Sequence, residues 1–182
     1  PQKGWSGSPC AGLVMLGERA RARIDGTTST SYAADLKKWL QIMEAYENGG
    51  HAYHATLPTD ALTKLRDVML ETERYGFDKV KANQIELGRQ IRALLEAKGF
   101  DSVAAEGFKA PCVVVSYTSD PDIQSGKKFT AQGLQIAAGV PLQVDEPADF
   151  RTFRVGLFGL DKLQNVERTV QNFKTALDKV TG

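Results

Sequence analysis

Apolar positions recur every three or four residues over long stretches of this chain, and every second residue over shorter ones. Leu36, Trp39, Leu40 and Met43 share one helical face, and Gly49 and Gly50 close that pattern. Leu62, Leu65, Val68 and Met69 mark the next helix. Thr59 is a candidate N-cap there, and Pro58 disfavours helix at Leu57. After a break near Gly76, Val80, Leu87, Ile91, Leu94 and Leu95 continue the helical period as far as Gly99. The C-terminal pattern is the clearest. Leu163, Val166, Val170, Phe173, Leu177 and Val180 step by three and four, and Asp161 with Gln164 resembles a capping box.

Between these stretches the strand period takes over. "AGLVMLG" (11–17) is an apolar run bounded by glycine and predicts a strand buried on both faces. "APCVVVSYT" (110–118) is β-branched and predicts another, with Asp120 and Pro121 opening a helix behind it. "GLQIAAGVPL" (133–142) predicts a third. In "FRTFRVGLFG" (150–159) Phe153, Val155 and Leu157 point one way, Arg154 and Gly156 the other. "ERARARI" (18–24) reads as a short charged helix or turn, 25–35 as a polar loop, and 51–59 as irregular. Strands interleaved with helices place the chain in the α/β class, with α+β as the neighbouring possibility. Residues 1–57 are expected to finish a domain begun upstream. Residues 58–182 are expected to form a smaller sheet covered by helices.

Composition narrows the function classes. Lys and Arg total 23 and Asp and Glu 22 in 182 residues, a net charge of +1. That balance makes no electrostatic case for a nucleic-acid or anionic-lipid partner. No run approaches the roughly 20 apolar residues of a transmembrane helix. Two cysteines, Cys10 and Cys112, make no disulfide framework and read as buried, reduced side chains of a cytoplasmic protein. The chain begins at Pro1 without a Met and is expected to continue upstream.

Three places offer chemistry. Lys3 precedes a loop of Gly, Ser and Pro. A lysine amine can condense with a carbonyl when its position is fixed, and a solvated surface lysine is the alternative. Tyr53, His54 and Thr56 cluster in an irregular segment, where the hydroxyls can donate to phosphate oxygens or serve turn and cap. His51 and His54 alone make a poor metal site. Arg154 lies on an otherwise apolar strand and needs an anion, either a ligand carboxylate or a structural Asp or Glu.

"QK" with its loop and "AGLVML", then "YHATLP", then "FRVGLFG" before a terminal helix resemble the class V aminotransferases of fold type I. The branch most similar is that of alanine–glyoxylate and serine–pyruvate (or serine–glyoxylate) aminotransferases. The likeness runs in order over essentially all of the chain, as the C-terminal half of such an enzyme. The resemblance implies that Lys3 forms the internal aldimine with pyridoxal 5′-phosphate. It implies that Tyr53 and Thr56 donate to the cofactor phosphate across a homodimer interface, and that Arg154 binds the substrate carboxylate. The implied reaction is ping-pong transfer of an amino group from alanine or serine to a 2-oxo acid such as glyoxylate or pyruvate. The N-terminal half would supply the rest of the cofactor site. The sequence departs from the family at Pro1, two before the lysine, at Cys10, seven after it, and at Ala55. A same-fold cysteine desulfurase or selenocysteine lyase is the rival enzyme, but those have His where Gln2 stands and a reactive cysteine in a loop. A non-catalytic α/β module is the other alternative.

Overall fold

The two longest apolar patterns become two consecutive helices meeting at one glycine in a computed structural model that describes residues 1–182. The element order is α1 (Glu18–Ile24), α2 (Leu36–Glu47), α3 (Thr59–Tyr75), α4 (Phe77–Ala97), β1 (Val113–Tyr117), α5 (Pro121–Gln124), α6 (Lys127–Thr130), β2 (Ala137–Ala138), β3 (Thr152–Gly156), α7 (Leu160–Leu163) and α8 (Val166–Thr181). Gly76 both ends α3 and starts α4. Its φ of 104° is one that side-chain-bearing residues rarely adopt, so the chain turns there without strain.

The three strands form one antiparallel sheet in the order β1-β3-β2. Val114 pairs with Val155 and Ser116 with Phe153, so these four residues share one sheet face, and all are buried. Leu87, Ile91 and Leu95 of α4 and Phe173, Leu177 and Val180 of α8 belong to the same core. Phe153 sits at its centre. Phe100 meets it edge-on at 5.3 Å between ring centroids, and Phe129 meets it at 5.9 Å while stacking on Phe173. All 13 members of this core lie between Leu87 and Val180, whereas residues 1–57 bury only Ile24 and Ile42.

Buried polar groups tie the layers together. The Arg92 guanidinium on α4 donates to Ser102 Oγ and to the carbonyls of Ala110 and Val113, which fixes the run into β1. Burial pulls its pKa below the ordinary guanidinium value, against the pull of Glu96 and Glu106. Asn83 donates to Leu163 O at 2.8 Å and pins α7 against α4.

Five expectations need correction. Residues 11–17 form no strand. Leu13, Val14 and Met15 are exposed, and no backbone group of residues 8–16 enters a backbone hydrogen bond. A strand exists only with a partner, and none lies beside this run. The predicted strand 133–142 shrinks to Ala137–Ala138, because Leu134 folds back onto Phe129 O and Pro141 has no N–H to pair. The Asp161–Gln164 pattern is not a capping box. Asn165 caps α8 by accepting from Arg168 N at 3.0 Å, and Thr59 lies inside α3 rather than capping it. Both cysteines are free and half-buried rather than buried. No helix is long and apolar enough to cross a membrane.

Candidate functional site

Lys3 opens a tight turn. Ser6 N–H donates to Lys3 O at 2.9 Å, and Gly7 N–H donates to Pro1 O at 3.1 Å. Trp5 anchors the turn by meeting Phe77 edge-on at 6.5 Å. On its other side the turn presses on the loop that leaves β3. A Cβ on Gly159 would lie 2.8 Å from Ser6 Oγ and 2.5 Å from Asp161 Oδ1, and the φ of 108° at Gly159 is one that favours glycine. The Lys3 side chain is exposed and makes no ion pair or hydrogen bond. Its turn therefore packs against the segment that follows the Arg154 strand.

Arg154 lies on the sheet face opposite the core, paired with Val115 on one side and Ala137 on the other. Its Nε donates to Ala138 O at 2.8 Å. No carboxylate is within ion-pair range, so the structural salt bridge left open by the sequence is absent. The two terminal guanidinium nitrogens have no partner in the chain, and Gly156 beside them contributes no side chain.

Tyr53 and Thr56 come together in the irregular segment, with Tyr53 Oη 3.1 Å from Thr56 Oγ1 and the tyrosine 75% exposed. Between them His54 is gripped by Tyr32 and Trp39, neither of which the sequence marked as part of a site. The Tyr32 hydroxyl donates to His54 O. His54 Nε2 meets Tyr32 O at 2.9 Å, and the two rings lie 4.2 Å apart. Trp39 packs edge-on against the imidazole at 5.0 Å. The only sequence signal was an aromatic residue in a polar loop. No hydrogen bond or ion pair joins Tyr53 or Thr56 to Lys3 or Arg154.

The carboxylates pulled furthest down lie on the surface of α4 and α8. Arg89 and Gln90 hold Glu86 at about 2, and Lys174 and Lys98 hold Asp178 at about 2. No group of three or more His, Cys, Asp or Glu could hold a metal ion.

The same architecture occurs in solved enzymes. An alanine–glyoxylate aminotransferase from a Nostoc species superposes with a TM-score of 0.75 at 18% identity, over 98% of this chain and 46% of its own. The chain has the fold of the C-terminal part of an aminotransferase. An aspartate aminotransferase from Thermus thermophilus matches at TM-score 0.67 and 19% identity, over 91% of this chain and 43% of its own. A ureidoglycine–glyoxylate aminotransferase from Bacillus subtilis matches at 0.53 and 20%, over 90% and 40%. The chain spans less than half the length of each. No protein-family model and no curated protein matches the sequence. The structural likeness bears out the aminotransferase resemblance at the level of fold.

Proposed function

We propose that this chain is the C-terminal part of a pyridoxal 5′-phosphate-dependent aminotransferase. It would move an amino group from a small amino acid, alanine or serine, to a 2-oxo acid by ping-pong chemistry. Arg154 is the observation that carries the reading: a guanidinium with two free nitrogens, on a strand of this fold whose following loop meets the turn that bears Lys3. Two of the structural neighbours are named for glyoxylate, which favours glyoxylate as the acceptor.

The donor set suits the cofactor. Pyridoxal 5′-phosphate presents an aldehyde and a phosphate, and its substrates present a carboxylate. The chain offers an exposed primary amine, a pair of converging hydroxyls and an unpaired guanidinium. Bound, the cofactor supplies the electron sink for the carbanion at the substrate Cα. Lys3 would hold the aldehyde carbon and, once freed, move the proton at Cα as general base. Arg154 would clamp the carboxylate through its terminal nitrogens, with the Nε bond to Ala138 O setting the plane of the fork. That clamp fixes which Cα bond faces Lys3. Tyr53 and Thr56 would serve the phosphate of a partner subunit in a homodimer. Residues 1–57 would then complete the large cofactor-binding domain and residues 58–182 form the small one, in keeping with a core confined to Leu87–Val180. Cys112 O accepts from Leu157 N–H at the entry to β1, which suits a structural cysteine better than the mobile nucleophile of a desulfurase.

Borohydride reduction in the presence of pyridoxal 5′-phosphate, followed by peptide mass spectrometry, tests the reading. Label is expected on Lys3, and Arg154→Ala is expected to lower kcat/KM for the amino acid on the order of 10- to 100-fold. Label spread evenly over surface lysines, with Arg154→Ala unchanged, would refute it.

A further inference from the structure

Residues 51–56 belong to no helix or strand, and none of their backbone groups enters a backbone hydrogen bond. A segment with no ladder takes its position from side chains. Here the contacts converge on His54. The links to Tyr32 are reciprocal: the hydroxyl of Tyr32 reaches the His54 carbonyl, and the ring nitrogen of His54 reaches the Tyr32 carbonyl, across 22 residues of sequence. Trp39, part of α2, closes the third side of the ring and bonds its own Nε1–H to Ala33 O at 2.8 Å. The loop before α2, α2 itself and the 51–56 segment are thereby joined at one imidazole.

We propose that Tyr32, His54 and Trp39 form a latch that presets the Tyr53 and Thr56 hydroxyls for phosphate oxygens, which makes His54 a positioning residue of the phosphate site. This rests on the reading that Tyr53 and Thr56 bind the cofactor phosphate. Tyr53 is adjacent to His54 and Thr56 two residues on, so fixing the His54 backbone at its carbonyl fixes both. Tyr32 O can only accept, so His54 Nε2 carries a hydrogen. The latch therefore needs the ring form that bears a hydrogen on Nε2. Without it the hydroxyl pair must be ordered as the ligand binds. That costs roughly tenfold in affinity for each residue so ordered.

The test compares two ligands, pyridoxal 5′-phosphate and pyridoxal, by their dissociation constants for the holoenzyme stripped of cofactor. The ratio isolates the phosphate contribution from any general damage. His54→Leu is expected to lower the preference for the phosphorylated ligand by roughly ten- to a hundredfold, about a factor of ten for each of the two residues left to be ordered. His54→Gln, whose amide N–H can reach Tyr32 O, is expected to restore part of it. Tyr32→Phe removes a single hydroxyl and gives the same reading if His54→Leu does not fold. Tyr53→Phe with Thr56→Ala should abolish most of the preference. If that double variant lowers the preference and His54→Leu and Tyr32→Phe do not, the latch is overturned while the phosphate assignment stands. Equal weakening of both ligands in His54→Leu would likewise overturn it, as general damage. An unchanged preference in the double variant would overturn the phosphate assignment, and the latch with it.

Discussion

Replacing Gly88 by alanine sets two opposed effects against each other. Gly88 is buried in the middle of α4, where glycine normally costs about 1 kcal/mol relative to alanine. On propensity alone Gly88→Ala should stabilise. The packing argues the reverse. A Cβ at Gly88 would lie 2.5 Å from Pro111 O, 2.8 Å from Pro111 Cα and 3.0 Å from Pro111 C. These are backbone atoms, so no side chain can swing aside. The segment is also held at successive carbonyls. Ala110 O and Val113 O accept from Arg92, Pro111 O from Gln84 Nε2, and Cys112 O from Leu157 N. About 2 kcal/mol of overpacking and about 1 kcal/mol for a weakened hydrogen bond stand against about 1 kcal/mol of propensity. The balance is a loss of about 2 kcal/mol. Urea unfolding followed by far-ultraviolet circular dichroism measures it. Ala82→Gly, on the exposed side of α4, calibrates the propensity contribution at about 1 kcal/mol. A Gly88→Ala variant about 1 kcal/mol more stable than the parent would refute the close approach of α4 to the run entering β1. Because Val115 of β1 pairs with Arg154, a displaced β1 should also weaken the carboxylate binding proposed for Arg154.

Two further outcomes are expected. Phe153→Ala, which empties the centre of the aromatic cluster, should cost about 3–5 kcal/mol in the same unfolding assay, and a loss below about 1 kcal/mol would contradict the core. Asp178 is held at about 2 in the folded chain against an ordinary 3.8, by Lys174 on α8 and Lys98 just beyond α4. Its folded value is depressed, so its contribution to stability is full above pH 3.8 and is lost as pH falls through about 2. Asp178→Asn should therefore flatten the acid limb of the stability profile, and an unchanged limb would show that the two lysines do not act on it.

Legibility followed the physics of each element. A helix packed on one side writes its period into consecutive residues, so α3, α4 and α8 could be read from Leu65, Leu87, Ile91, Leu95, Phe173 and Leu177. The alternation in β3 likewise placed Arg154 on the face opposite Phe153 and Val155. A strand also needs a neighbour, and that is a property of pairs. The run 11–17 shows that apolar character alone does not supply one. The grip of Tyr32 and Trp39 on His54 was illegible for a similar reason. It joins residues far apart in sequence through polar and aromatic contacts that leave no period behind.

The unpaired run at 8–16 also affects how the chain survives in solution. Local stability scales with backbone bonds and buried contacts, and this stretch lacks the first and has little of the second. A protease that cuts after large apolar residues should find Leu13 and Met15 before the equally apolar Met69 and Leu70, which α3 holds in a helix. The same open backbone, carrying apolar side chains and no charge from Pro9 to Gly17, is a ready template for strand pairing between molecules. Nicking and clumping thus have a common origin, and whatever covers this one segment protects against both.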